Sequence, residues 1–396
     1  MKIGISASLA RAGRSGIGRY LCQLIPALVQ ACPTHEYVVF APPGEWPQLD
    51  VDPRAVRIHP IASPRAAAPD DVRWHHFALP KLAHDLKLDV LHIPTQRRML
   101  WRKPCALVTT VHDVGPFRSP RSPQSRGSCP NTLFRALARR QDALIALDND
   151  SAAQLASCCG LEAGRVTAIP IGIDPLRFHL GDRQQAAAAI VARHRLHPPF
   201  FLCVGRLEAA THNQLRVLEA FTRFKTSAPS PWQLVFVGDD GGRASEIRAH
   251  VARSPYGADV RLVGHVPAEE LGDWYRAAGV VISVRRRDGF AHALREAMAC
   301  GTPVVSTDSA AAREICGDAA LYCDPDNASA LEHVLVSLAG DETLRRRLSA
   351  AGAQRTQTMT WQDVATATAS AYLRALQRFT ATLRVSARVP DTAPAS

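Results

Sequence analysis

Residues Val281–Val305 read VISVRRRDGFAHALREAMACGTPVV. A β-branched apolar run, Val280–Val284, has the length of a buried strand and ends in charge. Asp288, Gly289 and Phe290 form a turn. A helical pattern over Ala291–Ala299 follows, Cys300–Gly301 closes it, and Pro303–Ser306 starts another strand. Strand, helix and strand in such close succession make the crossover unit of a parallel sheet.

The unit recurs on both sides. Downstream of the middle of the chain, strands are expected at Phe200–Val204, Leu234–Val237 and Val260–Val263, with helices over Leu215–Phe224 and Ala268–Ala278. In the first half, strands are expected at Lys2–Ile5, Glu36–Ala41, Val90–Ile93, Ala106–Val111 and Leu144–Leu147. Helices are expected over Tyr20–Val29 and from Asp150 or Ser151. The fold class is therefore α/β, with two doubly wound, Rossmann-like domains. The boundary region, Pro170–Pro199, holds IPIGIDP, an alanine-rich helix at Ala186–His194 and HPP. We assign 1–175 to an N-terminal domain and 176–360 to a C-terminal one, with a helix at 361–378 returning to the first and a disordered tail at 380–396. Ligands of open α/β sheets bind outside the carboxyl ends of the strands, so function belongs in the loops that follow them.

Composition is that of a globular protein: 396 residues, 46% hydrophobic and 21% charged, long enough for two cores. The net charge of +11 points to anionic partners. No nucleic-acid recognition motif accompanies it, so nucleic acid is not an expected partner. The ten cysteines show no C-x-x-C pair and read as buried thiols of a reducing compartment. MKIGISASLARAG lacks the long apolar core of a secretory signal, and no run is long enough to span a bilayer. A cytoplasmic location is expected, with peripheral contact at the inner face of an anionic membrane as the only membrane association.

Several strand-end segments carry chemistry. The helix that starts after Gly289 offers unpaired N–H groups and a positive dipole end, which suit a phosphate. Glu296, farther along that helix, suits ribose hydroxyls as an acceptor; read alone, it is more readily a solvated helix residue. VGRLEAATHNQLRVLEAF (Val204–Phe221) puts Arg206 just past a strand, where its planar fork matches phosphate oxygens. SGIGRY (Ser15–Tyr20) is a glycine turn opening a helix, in which Gly16 and Gly18 allow close backbone approach. VHDVGP (Val111–Pro116) ends a strand with His112, and Asp113 is its expected support. Arg118, Arg121, Arg126, Arg135, Arg139 and Arg140 form either a solvated face or a surface for an acceptor or anionic lipid. Asp148 and Asp150 frame Asn149, but a helix cap explains them better than a metal site.

These segments resemble glycosyltransferase family 4. EAMACGTPVV stands intact at Glu296–Val305, REICGDAALYCDP follows at Arg313–Pro325, and VGRLE matches a family loop at Val204–Glu208. The resemblance runs over roughly residues 1–378. It implies the GT-B fold, two Rossmann-like domains facing across a cleft, and transfer of a hexose, mannose among the options, with retention of configuration. The donor implied is a nucleotide-diphosphate sugar, GDP- or UDP-linked. The acceptor implied is a saccharide or a lipid-linked one, as in surface polysaccharide synthesis. It implies His112, Asp288 and Arg206 as catalytic residues. Gly16, Gly18, Arg206, His212, Gly238, Val266, Gly289, Phe290, Ala291 and Glu296 are implied as donor-binding residues. The chain departs from the family pattern at three places. Asp288 stands for Glu, about 1.5 Å shorter in reach. His212 stands for Lys. Ala291, His292 and Arg295 occupy a stretch that is usually GFG-x-P.

As the leaving nucleoside diphosphate departs, negative charge grows on it, and preorganised donors must meet that charge. No metal and no cofactor is expected; Arg206, His212 and the helix start at Gly289–Ala291 would serve instead. Two alternatives use the same fold. One is a nucleotide-sugar epimerase, which changes the sugar without an acceptor. The other is a degenerate, non-catalytic scaffold.

Overall fold

The computed structural model describes residues 1–10, 15–44, 49, 51–61, 72–117, 131–207, 212–240, 244–285, 292–357 and 360–386. The chain forms two compact units, Met1–Gly172 with Trp361–Ser396, and Ile173–Thr360.

The first unit is built on a seven-stranded parallel sheet. Its strands are β1 (Lys2–Ser6), β2 (Glu36–Ala41), β3 (Val56–Pro60), β4 (Val90–Ile93), β5 (Ala106–Val111), β6 (Ala143–Ala146) and β7 (Val166–Ala168). The order is β3-β2-β1-β4-β5-β6-β7, so the direction of winding reverses between β1 and β4. β4 and β5 are buried along their whole length, as strands covered on both faces must be. The last helix, Trp361–Ser386, packs on the helix Gly16–Ala31 and on β5. Its Tyr372 hydroxyl lies 2.8 Å from His92 Nδ1 on β4. This helix runs past Thr380, where the sequence suggests a disordered tail; a helical pattern with Leu383 and Arg384 continues to Ser386. Residues 387–396 lie outside the described residues.

The second unit has six parallel strands: β8 (Phe200–Val204), β9 (Gln233–Val237), β10 (Val260–Gly264), β11 (Val280–Ser283), β12 (Val304–Thr307) and β13 (Ala320–Cys323). The order is β10-β9-β8-β11-β12-β13, reversing between β8 and β11. Strand period sorts alternate residues to opposite faces. Phe200, Leu202, Val235, Val237 and Val281 join one core, with Trp274 and Tyr275. Phe201, Cys203, Leu234, Phe236 and Val280 join the other, with Phe221 and Phe224. Among the described residues, no helix is long and apolar enough to cross a membrane.

Candidate functional site

The reversal points of the two sheets place the candidate residues. In the second unit the loop after β8 and the residue after β11 meet. Gly205 N donates to Val237 O (2.9 Å), Leu207 N donates to Asp239 O (2.9 Å), and Gln214 Nε2 donates to Arg206 O (2.8 Å). These bonds fix the turn that carries Arg206. Gly205 (φ +150°) and Gly238 (φ +152°) cross so closely that a Cβ on Gly238 would lie 2.0 Å from Gly205 O. A Cβ on Gly205 would lie 2.8 Å from the His212 ring and 3.4 Å from Arg285 Nη2. Bare backbone here lets a histidine and an arginine gather over one strand end.

Gly205, His212, Gln214, Ser283 and Arg285 line a small pocket with the flanking strand residues. The helix Gln214–Ser227 begins at this pocket. Its cap residue Asn213 is left-handed (φ 59°) and makes no capping bond; its amide donates to Pro325 O instead. The positive end of the helix dipole is thus added to the Arg285 guanidinium at this pocket. His212 is held neutral. Burial first, then the charges of Arg285 and Arg206, push its pKa down to about 3. The pocket is therefore lined by one guanidinium, Arg285, and one neutral imidazole, with Arg206 close by on the turn that carries Gly205.

Arg285 is absent from the set expected from sequence. Inside RRR it reads as solvated charge, and only its position as the first residue past the strand run distinguishes it. Glu296 is not solvated. It is 6% exposed on the helix His292–Ala299, and its Oε2 accepts from the Tyr275 hydroxyl at 2.8 Å. Val266 is 7% exposed and belongs to the core that holds Tyr275 and Leu294. Asp288, Gly289, Phe290 and Ala291 lie outside the described residues, as do Arg118, Arg121 and Arg126.

In the first unit, Gly16 and Gly18 fall in the opening turn of the helix Gly16–Ala31, and Gly18 N donates to the cap Ser15 Oγ (2.9 Å). His112 follows β5. Its Nε2 lies 3.0 Å from Pro94 O, and its backbone N–H donates to Gln96 Oε1 (3.2 Å). A carbonyl only accepts, so Nε2 carries the proton and Nδ1 the lone pair of the neutral ring. Burial pushes the pKa down to about 4. The Tyr20 ring meets it edge-on at 5.3 Å. Asp113 does not play the expected part. Its Oδ1 accepts from Gly115 N (2.8 Å), closing an Asx turn, while Pro94 and Gln96 orient His112. Asp148 is a helix cap: it accepts from Ser151 N (2.7 Å) and from Ser151 Oγ (2.8 Å).

A second buried histidine was missed. His75 sits in a π-helical turn, Trp74–Ala78, with Nε2 3.1 Å from Ser6 Oγ and 3.4 Å from Ser8 Oγ, at the carboxyl end of β1. Its π register carries no sequence signal, although such turns often mark functional places.

Comparison with known proteins agrees with this architecture. The family described as Glycosyltransferase Family 4 matches residues 14–177, and Glycosyl transferases group 1 matches residues 188–355. The chain is 28% identical to D-inositol 3-phosphate glycosyltransferase of Xylanimonas cellulosilytica, over 69% of this chain and 67% of that protein. Sucrose-phosphate synthase from Thermosynechococcus elongatus superposes with a TM-score of 0.78 at 21% identity, covering 96% of this chain and 100% of that one. Anabaena HepE in complex with UDP-glucose superposes with a TM-score of 0.69 at 16% identity, covering 97% and 100%. With two Rossmann-like units of GT-B type and both halves matched, the chain belongs to glycosyltransferase family 4 and is a glycosyltransferase.

Proposed function

We propose that this enzyme transfers a hexose from a UDP- or GDP-linked donor to a saccharide or lipid-linked acceptor, with retention and without a metal. One observation carries the reading: His212 and Arg285 converge on the Gly205 backbone where the second sheet reverses, and Arg206, on the same turn, is near enough for its charge to lower the histidine pKa. Breaking the bond to the sugar loads negative charge onto the β-phosphate. Two guanidiniums, a helix start and an imidazole that can gain a proton meet that charge without reorganising. HepE, solved with UDP-glucose, supports a nucleotide-sugar donor. His112, neutral with its lone pair on Nδ1, is proposed to accept from a hydroxyl of the transferred sugar. Asp288, Glu296 and the glycine turn at Gly16 and Gly18 complete the proposed donor set.

The test is to incubate the chain with UDP-glucose or GDP-mannose and a mixture of saccharide and lipid-linked acceptors, with chelator throughout. Release of nucleoside diphosphate that requires acceptor, with an α-linked product from an α-linked donor, is expected. Turnover that chelator abolishes contradicts the metal-free reading. A sugar altered in the absence of acceptor identifies an epimerase.

A further inference from the structure

Two polar groups meet inside the second unit, where packing alone would place apolar ones. Tyr275, on the helix Leu271–Ala277, is fully buried, and Glu296, on the helix His292–Ala299, is nearly so. The helix of Glu296 gives Leu294, Ala297 and Met298 to the same core as Tyr275 and Trp274. Within it the Tyr275 hydroxyl donates to Glu296 Oε2 at 2.8 Å. Taking a hydroxyl and a carboxylate out of water is costly, and an apolar pair of the same shape is often at least as stable. Stability alone therefore gives no reason for the pair.

The tyrosine is held at its ring and at its backbone. Its ring meets the Phe178 ring edge-on at 5.9 Å. Its carbonyl accepts from Thr302 Oγ1 at 2.6 Å, and Thr302 N donates to Ala297 O at 2.9 Å, one residue past Glu296. Gly272, on the helix of Tyr275, lies so near Arg177 O that a Cβ there would stand 2.3 Å from it. The helix that carries the hydroxyl is thus fastened to the end of the helix that carries the acid. A glutamate side chain turns about several bonds, and fixing one oxygen removes most of that freedom. A carboxylate offers about four lone-pair positions, so one bond orients the group without exhausting it.

We propose that Tyr275 is a positioning residue for the donor: it holds the Glu296 carboxylate in the orientation that accepts the ribose hydroxyls of the nucleotide. The inference rests on the proposed place of Glu296 in the donor set. Tyr275 acts through the acid and has no contact of its own with the nucleotide. Tyr275→Phe keeps the ring against Phe178 and removes only the hydrogen bond, so its effect should fall on the ribose and spare the diphosphate.

The test is calorimetric titration of the full chain with UDP, with its 2′,3′-dideoxy analogue and with inorganic pyrophosphate, the GDP pair replacing the UDP pair if GDP is the nucleotide bound. The wild type should bind UDP ten- to hundredfold tighter than the dideoxy analogue. Tyr275→Phe should weaken UDP about tenfold and leave the analogue and pyrophosphate as in the wild type. Glu296→Ala should remove the preference outright, and Glu296→Gln serves where the alanine variant does not fold. If Tyr275→Phe keeps the preference that the Glu296 variant loses, the acid needs no positioning and the proposal is overturned. Equal losses for all three ligands in Tyr275→Phe would assign the tyrosine to packing alone and overturn it too. If the Glu296 variant keeps the preference, or the wild type has none, the ribose role of Glu296 falls, and this inference with it.

Discussion

His212 concentrates the chemistry of this site in one side chain. A lysine there would be charged and would repel Arg206 and Arg285. The histidine is neutral, with its pKa at about 3, and costs no such repulsion. A bound diphosphate is expected to offset those charges and raise that pKa, so that binding would take up a proton. Affinity should therefore rise as pH falls through the ordinary histidine range near ~6.5. The phosphate's own titration adds a slope, so the readout is the difference between proteins. Titration calorimetry of UDP should show a steeper pH dependence for the wild type than for His212→Lys. Equal slopes would show that the histidine stays neutral. Arg285→Ala should weaken UDP binding about ten- to hundredfold through loss of charge-assisted bonds.

Among the elements, the long apolar strands and their crossover helices were legible because burial on both faces leaves uninterrupted Val, Ile and Leu. β2, β4, β5 and β8 fall at the residues expected. β3, VRIHP, and β7, VTA, were not foreseen: they are edge strands, and most of their residues are partly or fully exposed. Of the site, the glycines and Arg206 were readable from their place after a strand. Arg285 was hidden in a charge run, His75 by its π register, and Asp113 was given a partner that the Asx turn takes from it. The crossing of Gly205 and Gly238 makes a sharp prediction. Gly238→Ala puts a methyl carbon 2.0 Å from Gly205 O at φ +152°. It should lower the unfolding temperature and abolish UDP binding together. Gly264→Ala, at φ +84° with nothing within 4 Å, should cost only left-handed strain, about 1–2 kcal/mol, and leave binding intact. Equal effects of the two variants would contradict the close-approach account.

At the scale of the whole molecule, buried neutral histidines set the response to acid. His92, beneath Thr110 and Tyr372, is pushed down to about 3, and His112 to about 4, both chiefly by burial. Their folded pKa values lie below the unfolded one. Below pH ~6.5 the unfolded chain therefore binds protons that the folded chain refuses. Stability present above that value should fall with pH by about 1.4 kcal/mol per unit for each histidine, down to the folded pKa. Denaturant unfolding followed against pH should show this, and His92→Gln should reduce the slope by one proton. An unchanged slope would mean that His92 is already protonated when folded. The account stands on a fixed cationic seat for a departing diphosphate in the second unit. Calorimetric titration of the full chain with UDP and with GDP tests it most directly. It predicts one saturable site for at least one of them, lost in Arg206→Ala with Arg285→Ala while the fold is kept. Binding that survives the double variant, or none by the wild type at millimolar nucleotide, would contradict it.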